Sequence, residues 1–148
     1  MKVFVTGVAG QLGHDVVNEL TKRGHEAIGS DIAPALETTV KYVPLDITDA
    51  TAVEQTIQNV QPDAIVHCAA WTAVDAAEDE ENQAKVRAIN VDGTKHIADA
   101  AKKADAKMIY ISTDYVFRGE GDQFYEPAAE KDPHNVYGRT KLQGELAV

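Results

Sequence analysis

A single cysteine, Cys68, stands in 148 residues, so the chain has no internal disulfide and cannot build a cysteine-based zinc site. Nor does any apolar run approach the roughly 20 residues that span a bilayer. The apolar stretch at the start, MKVFVTGVAG, is too short for a secretion signal. Basic residues are scarce: 14 Lys and Arg face 24 Asp and Glu, a net charge of -10. With no basic patch in the sequence, phosphate-rich partners such as nucleic acid or an anionic membrane are disfavoured. No internal repeat, linker or low-complexity tract interrupts the chain. These absences lead to the expectation of a soluble, cytoplasmic protein that holds no metal.

What remains is an ordinary globular composition, 44% hydrophobic and 26% charged, in a length that suits one domain burying roughly two thirds of its unfolded surface. The run from Lys2 to Thr6 is β-branched and aromatic and ends in glycine. Leu12, Val16, Val17 and Leu20 then repeat at helical spacing up to Gly24. Further strands are predicted at His25 to Ser30, Val40 to Leu45, Ala64 to His67 and Lys107 to Ser112. The third contains Pro44, which cannot donate to a ladder and so suits an edge. Thr48 or Asp49 can cap a helix carrying Val53, Ile57 and Val60 that halts before Pro62. One long helix is predicted from about Glu81 to Lys103, with Val86, Ile89, Ile97 and Ala101 inward. The stretch FRGEGDQFYEPAAEKDPHN reads as loop, and a last helix starts near Val136. Strands alternating with helices imply right-handed crossovers and a parallel sheet covered on both faces.

Between the first strand and helix lies GVAGQLG, with Gly7, Gly10 and Gly13 in GxxGxxG spacing. Backbone amides and a helix dipole at that place suit a pyrophosphate, and the glycines allow a tight turn, close approach of the backbone and close helix packing. A glycine-rich turn without a ligand is the plainer reading of the same residues. Asp31 closes the second strand, where a carboxylate can accept from both adenosine ribose hydroxyls and would repel a 2′-phosphate. NAD(H) is therefore favoured, with NADP(H) possible, unless Asp31 only caps a turn ahead of Pro34. Asp46 suits either the adenine amino group or simple helix entry. The fold expected is α/β: a Rossmann-like, doubly wound, three-layer α/β/α sheet of about five strands in the order 3-2-1-4-5.

Tyr137 and Lys141 lie four apart, on one helical face. A tyrosine must drop by about 3 units to exchange protons at neutral pH, about 4 kcal/mol that an adjacent ammonium and a cationic nicotinamide can supply. Alone, the pair could equally be a surface contact. Thr113, at the end of the fifth strand, can orient a carbonyl or merely satisfy the backbone. Asn90 is either a bridge beneath the site or a surface residue, and Cys68 reads as a packed small residue.

In this order and spacing GVAGQLG, VHCAAWTAVDAAE, INVDGT, STDYVF and YGRTK resemble the extended short-chain dehydrogenases/reductases, and within them the dTDP-4-dehydrorhamnose reductase family. The match runs from Met1 to Val148. The resemblance implies Thr113, Tyr137 and Lys141 as catalytic residues. Its implied cofactor contacts are Gly7, Gly10, Gln11, Leu12, Gly13, Asp31, Asp46, Ala69, Ala70, Tyr137 and Lys141. The implied reaction is NAD(P)H-dependent reduction of a nucleotide-linked 4-keto-6-deoxy sugar, a step of dTDP-rhamnose biosynthesis. Arg118 departs from the family, which usually has Asp there. Family members are nearly twice as long, so residues 1–148 are expected to be the cofactor-binding half, truncated within the helix that bears Tyr137 and Lys141. The C-terminal strands and the sugar-binding lobe would then be missing, turnover impaired, and the fifth strand left as an open edge through which a homodimer could form. A non-catalytic NAD(P)-binding fragment and an extended-family sugar-nucleotide epimerase or dehydratase are the alternatives, the latter disfavoured by STDYVF.

Overall fold

The computed structural model describes residues 1–34, 40–122 and 124–148. Gln123, inside the long loop, lies outside them. Five strands, β1 (Lys2–Thr6), β2 (Glu26–Asp31), β3 (Lys41–Pro44), β4 (Ala64–His67) and β5 (Lys107–Tyr110), form one parallel sheet in the order β3-β2-β1-β4-β5. Pro44 does sit on an edge strand. There it pairs in register with Asp31, and Leu45 N–H continues the ladder to the Asp31 carbonyl at 2.9 Å. The helices are α1 (Gln11–Lys22), α2 (Ala50–Val60), α3 (Glu80–Arg87), α4 (Thr94–Lys103) and α5 (Val136–Glu145).

Alternation along each strand sorts the core onto two faces. Phe4, Ile28 and Ile65 point to the face covered by α2, through Val53, Ile57 and Val60, and by α4, through Ile97, Ala100 and Ala101. Val3, Val5, Ala27 and Val66 point the other way, against Val17 of α1. Asp49 is the cap of α2, its carboxylate accepting Ala52 N–H at 3.0 Å. Ile109, in register with Val66, belongs to the second face, which α1 does not cover this far out, and it stays 55% exposed. The long loop leaves it so. That loop instead folds on itself, with the Phe117 and Tyr125 rings stacked at 4.8 Å and Arg118 bridging Glu120 and Asp132.

The helix expected over 81–103 is divided. Between α3 and α4 the chain passes through a π-helical stretch, Ala88–Gly93. Gly93 meets α2's approach: a β-carbon there would come within 2.8 Å of Ile47. The widened turn brings Asn90 fully inward, which decides for the bridging role. Asn90 Oδ1 accepts Trp71 N–H (2.8 Å), and its Nδ2 donates to Trp71 O (3.1 Å) and to Thr140 Oγ1 (3.2 Å) on α5.

Asn90 ends a buried polar chain whose protons can be assigned from partner counts. Thr94 donates its hydroxyl proton to Asn90 O (2.9 Å), so its oxygen must accept from His67 Nε2 (3.2 Å). His67 is then the Nε2–H tautomer, and its Nδ1 accepts from Thr6 Oγ1 (2.8 Å), which in turn accepts Ala69 N–H (3.2 Å). Burial pushes His67 down from 6.5 to about 3, with the Lys141 ammonium adding to the effect.

Two stability outcomes follow from this core. Ile65→Ala should cost about 2–5 kcal/mol in chemical denaturation, as a fully buried large-to-small change, whereas Ile109→Thr should stay within about 0.5 kcal/mol. Between pH 6.5 and about 3 only unfolded His67 binds a proton. Its contribution is therefore intact above pH 6.5 and is lost as the pH falls towards 3. Urea titrations of His67→Gln between pH 7 and 4 should show a slope shallower than the parent's by up to about 1.4 kcal/mol per pH unit.

Candidate active site

The carboxyl ends of β1, β2, β4 and β5 open on one cavity of about 400 Å³. After β1 the chain turns at Gly7, whose φ of +75° disfavours any other residue; a β-carbon there would lie 2.6 Å from Ala69 N. Gly13 is held as tightly, since a β-carbon would collide with the Gly7 carbonyl. The first turn of α1 is thereby pressed onto the Gly7 turn, and that turn onto Cys68 and Ala69 just after β4. Gly10 caps α1 without a side-chain acceptor, so the helix's leading amides face the cavity with the dipole's positive end.

Asp31 shapes this loop from the end of β2. One carboxylate oxygen accepts Ala9 N–H (3.0 Å) and the other Ile32 N–H (2.8 Å), so the turn-capping role is real and the residue also lines the cavity. Asp46 likewise closes a turn, Oδ1 accepting from Thr48 N (2.9 Å) and Thr48 Oγ1 (2.7 Å), while lining the same wall. Gln11, Leu12, Ala69 and Ala70 line it too. A neighbour that the sequence did not single out is Ser30. Its Oγ is buried in the wall and has no hydrogen-bond partner among the described residues, which suits a polar ligand.

Tyr137 and Lys141 project from α5 into the opposite wall. Asn135 caps that helix through Gly138 N–H (2.6 Å), and Glu78 takes Val136 N–H (2.6 Å). The helix rests on the π-helical stretch, on α3 and on the 3-10 turn Asp114–Val116. Tyr115 meets Tyr137 edge-on at 5.7 Å. Thr113 lies outside the cavity wall, where its hydroxyl donates to Asp114 Oδ1 (3.1 Å) and accepts Tyr115 N–H (3.3 Å), and burial raises the Tyr137 phenol's pKa. In this site the lysine by itself does not lower the phenol's pKa. Burial dominates, and Lys141 turns its ammonium away to donate to Ile111 O at 2.5 Å. Lys141 itself is 3% exposed. Burial brings it down from 10.5 to about 8, against the upward pull of Glu145 and Cys68.

Glu145, one further turn along α5, accepts from Ser112 Oγ and from Lys131 Nζ (2.5 Å). It ties the end of β5 and the long loop to the helix that carries the reactive pair. Its place at i+4 from Lys141 repeats the spacing that singled out Tyr137 and Lys141, so the signal was present in the sequence. Among the described residues no group of three or more His, Cys, Asp or Glu could hold a metal, and no helix is long and apolar enough to cross a membrane.

Comparison with known proteins agrees with this geometry. The dTDP-4-dehydrorhamnose reductase of Streptomyces griseus is 40% identical over 145 residues, 98% of this chain and 44% of that protein. Methionine adenosyltransferase 2 subunit beta of Bos taurus is 37% identical over 147 residues, 99% and 42% respectively. The chain thus spans less than half the length of these curated relatives. A Bacillus anthracis dTDP-4-dehydrorhamnose reductase solved in complex with NADP superposes with a TM-score of 0.86 at 36% identity, over 99% of this chain and 48% of that one. The Bordetella bronchiseptica enzyme WbmG, solved with NAD and UDP, gives 0.84 at 25%, over 98% and 48%. The family model described as RmlD substrate binding domain matches residues 1–148, and the chain belongs to that family.

Proposed function

We propose that this chain binds a nicotinamide dinucleotide and serves the reduction of the 4-keto group of a nucleotide-linked 6-deoxy sugar. The observation that carries the reading is one cavity with the uncapped amides of α1 and the glycine loop in one wall and Tyr137 and Lys141 in the other. The residues fit such a cofactor: the leading amides of α1, uncapped by a side chain, can meet a diphosphate at the helix N-terminus, and Ser30 Oγ has an unmet hydrogen-bonding capacity. When bound, the nicotinamide supplies a hydride to the sugar carbonyl. Tyr137 delivers the proton that completes the alcohol, and Thr113 meets the carbonyl oxygen by turning in from beyond the cavity wall, releasing Asp114. Buried and raised in pKa, Tyr137 holds that proton firmly in the resting site. Lys141 offers a cation to the nicotinamide ribose and to the phenol once drawn from Ile111 O.

Asp31 supports NAD(H) over NADP(H), because a 2′-phosphate beside its carboxylate would be repelled. The curated relatives are more than twice as long, and no residue here is assigned to grip the sugar. Positioning supplies about 7–11 kcal/mol of a barrier, so slow turnover is proposed for the 148 residues alone. A binding module without turnover is the second reading, favoured by Lys141 resting on Ile111 O rather than on the phenol.

Titration with NADH and NADPH separately tests the cofactor: NADH should bind the tighter. Asp31→Ala should weaken NADH by about ten- to a hundredfold, the worth of a hydrogen bond to a charged group, and NADPH by less. No binding of either coenzyme to folded protein would overturn the reading. For the reaction, Tyr137→Phe should cut single-turnover reduction of a dTDP-4-keto-6-deoxyhexose by about 10²–10⁴. Its NADH affinity should fall by no more than about tenfold, the worth of one hydrogen bond. Binding of NADH with no reduction by the unaltered chain would leave the binding module standing.

A further inference from the structure

Lys141 is gripped at two points by one residue that the reaction does not use. Tyr110, the last residue of β5, has its ring beneath the ammonium, 4.2 Å from Nζ to the centroid, and its hydroxyl donates to the Lys141 carbonyl at 3.1 Å. Room for that hydroxyl is made by Gly144, where a β-carbon would overlap it and would come within 2.8 Å of Asn90 O. The ring is in turn stacked 6.1 Å from His67, which Thr6 and Thr94 fix from both sides.

We infer that Tyr110 is a positioning residue for Lys141, its ring seating the ammonium by a cation–π contact and its hydroxyl fixing the helix turn from which the lysine springs. The inference concerns the same site and rests on the proposed function only for its consequence, a lysine aimed at the cofactor. An ammonium stripped of water needs more than the single Ile111 carbonyl, and the negative face of a ring is a partner that stays uncharged. Burial holds the Tyr110 phenol well above the ordinary tyrosine value, so the ring remains neutral throughout the lysine's titration. The other groups facing the ammonium are Glu145 on α5, Cys68 after β4 and neutral His67 on β4. Lys131, from the long loop, is paired with Glu145.

The test is ¹³Cε/¹⁵Nζ NMR titration of Lys141 in the cofactor-free chain, assigned with Lys141→Arg. Tyr110→Leu keeps the site apolar and removes the ring's quadrupole. The midpoint should fall from about 8 by about one pH unit, the size of a partly desolvated cation–π contact. Tyr110→Phe keeps the ring and should restore the parent midpoint. A Leu variant whose midpoint is unmoved or higher would overturn the inference. Should that variant fail to fold, the parent chain decides: ring current must place the Lys141 ε-protons upfield of the other lysines, and ordinary shifts would overturn it equally. None of these readings needs NADH. Failure of NADH to bind would therefore count against the proposed function and leave the seating of Lys141 intact.

Discussion

A chain of buried polar groups runs from β1 through β4 and the π-helical stretch to α5 and fixes these walls of the cavity. Thr6 precedes the first glycine of the loop and holds both Ala69 N–H, at the end of β4, and His67 Nδ1. From His67 the chain runs through Thr94 to the Asn90 carbonyl, and Asn90's amide reaches Thr140, which donates to the carbonyl of Tyr137 at 2.9 Å. The glycine loop and α5 are thus held by one network across the top of the sheet. An unpaired buried polar group costs about 1–3 kcal/mol, so loosening one end leaves a debt at the next. The π-helical stretch is the local distortion that lets Asn90 take part, and its energetic penalty is offset by the three bonds of that side chain.

Around this frame two electrostatic effects compete, and burial wins both. Burial brings Lys141 down from 10.5 to about 8, because desolvation disfavours its charged form. Tyr137 moves the opposite way for the same reason, because desolvation disfavours the phenolate. The site at rest therefore holds a tyrosine that keeps its proton and a lysine within reach of losing one. Glu145, the Ile111 carbonyl and the Tyr110 ring keep that lysine cationic near neutral pH.

Asp31 shows how structural and recognition roles can share a side chain. Its carboxylate fastens Ala9 N–H and so sets the shape of the loop that would receive a diphosphate. The same charge faces the cavity where a ribose would lie. On the proposed reading, replacing Asp31 alters loop shape and ribose recognition together. On the far side of the sheet, Ile109 marks the apolar face that α1 leaves bare at the β5 edge.

Local pattern alone determined the strands, the caps and the glycine loop, because alternation, the helical repeat and the needs of a tight turn are all written over a few neighbouring residues. The edge position of Pro44 followed from its missing donor, and the common face of Tyr137 and Lys141 from their spacing. Boundaries moved by a residue or two, with β2 running to Asp31 and β5 stopping at Tyr110. Only tertiary structure decided that the long helix would break into a π-helical stretch, because Gly93 and Asn90 answer to Ile47 and Trp71 far away in sequence. The same holds for Thr113, whose hydroxyl is taken by Asp114 and the Tyr115 amide rather than lining the cavity. It holds also for Lys141, whose partner is a strand-end carbonyl thirty residues earlier. Charge and proton affinity at a buried site depend on what surrounds it in space, and no local spacing encodes that.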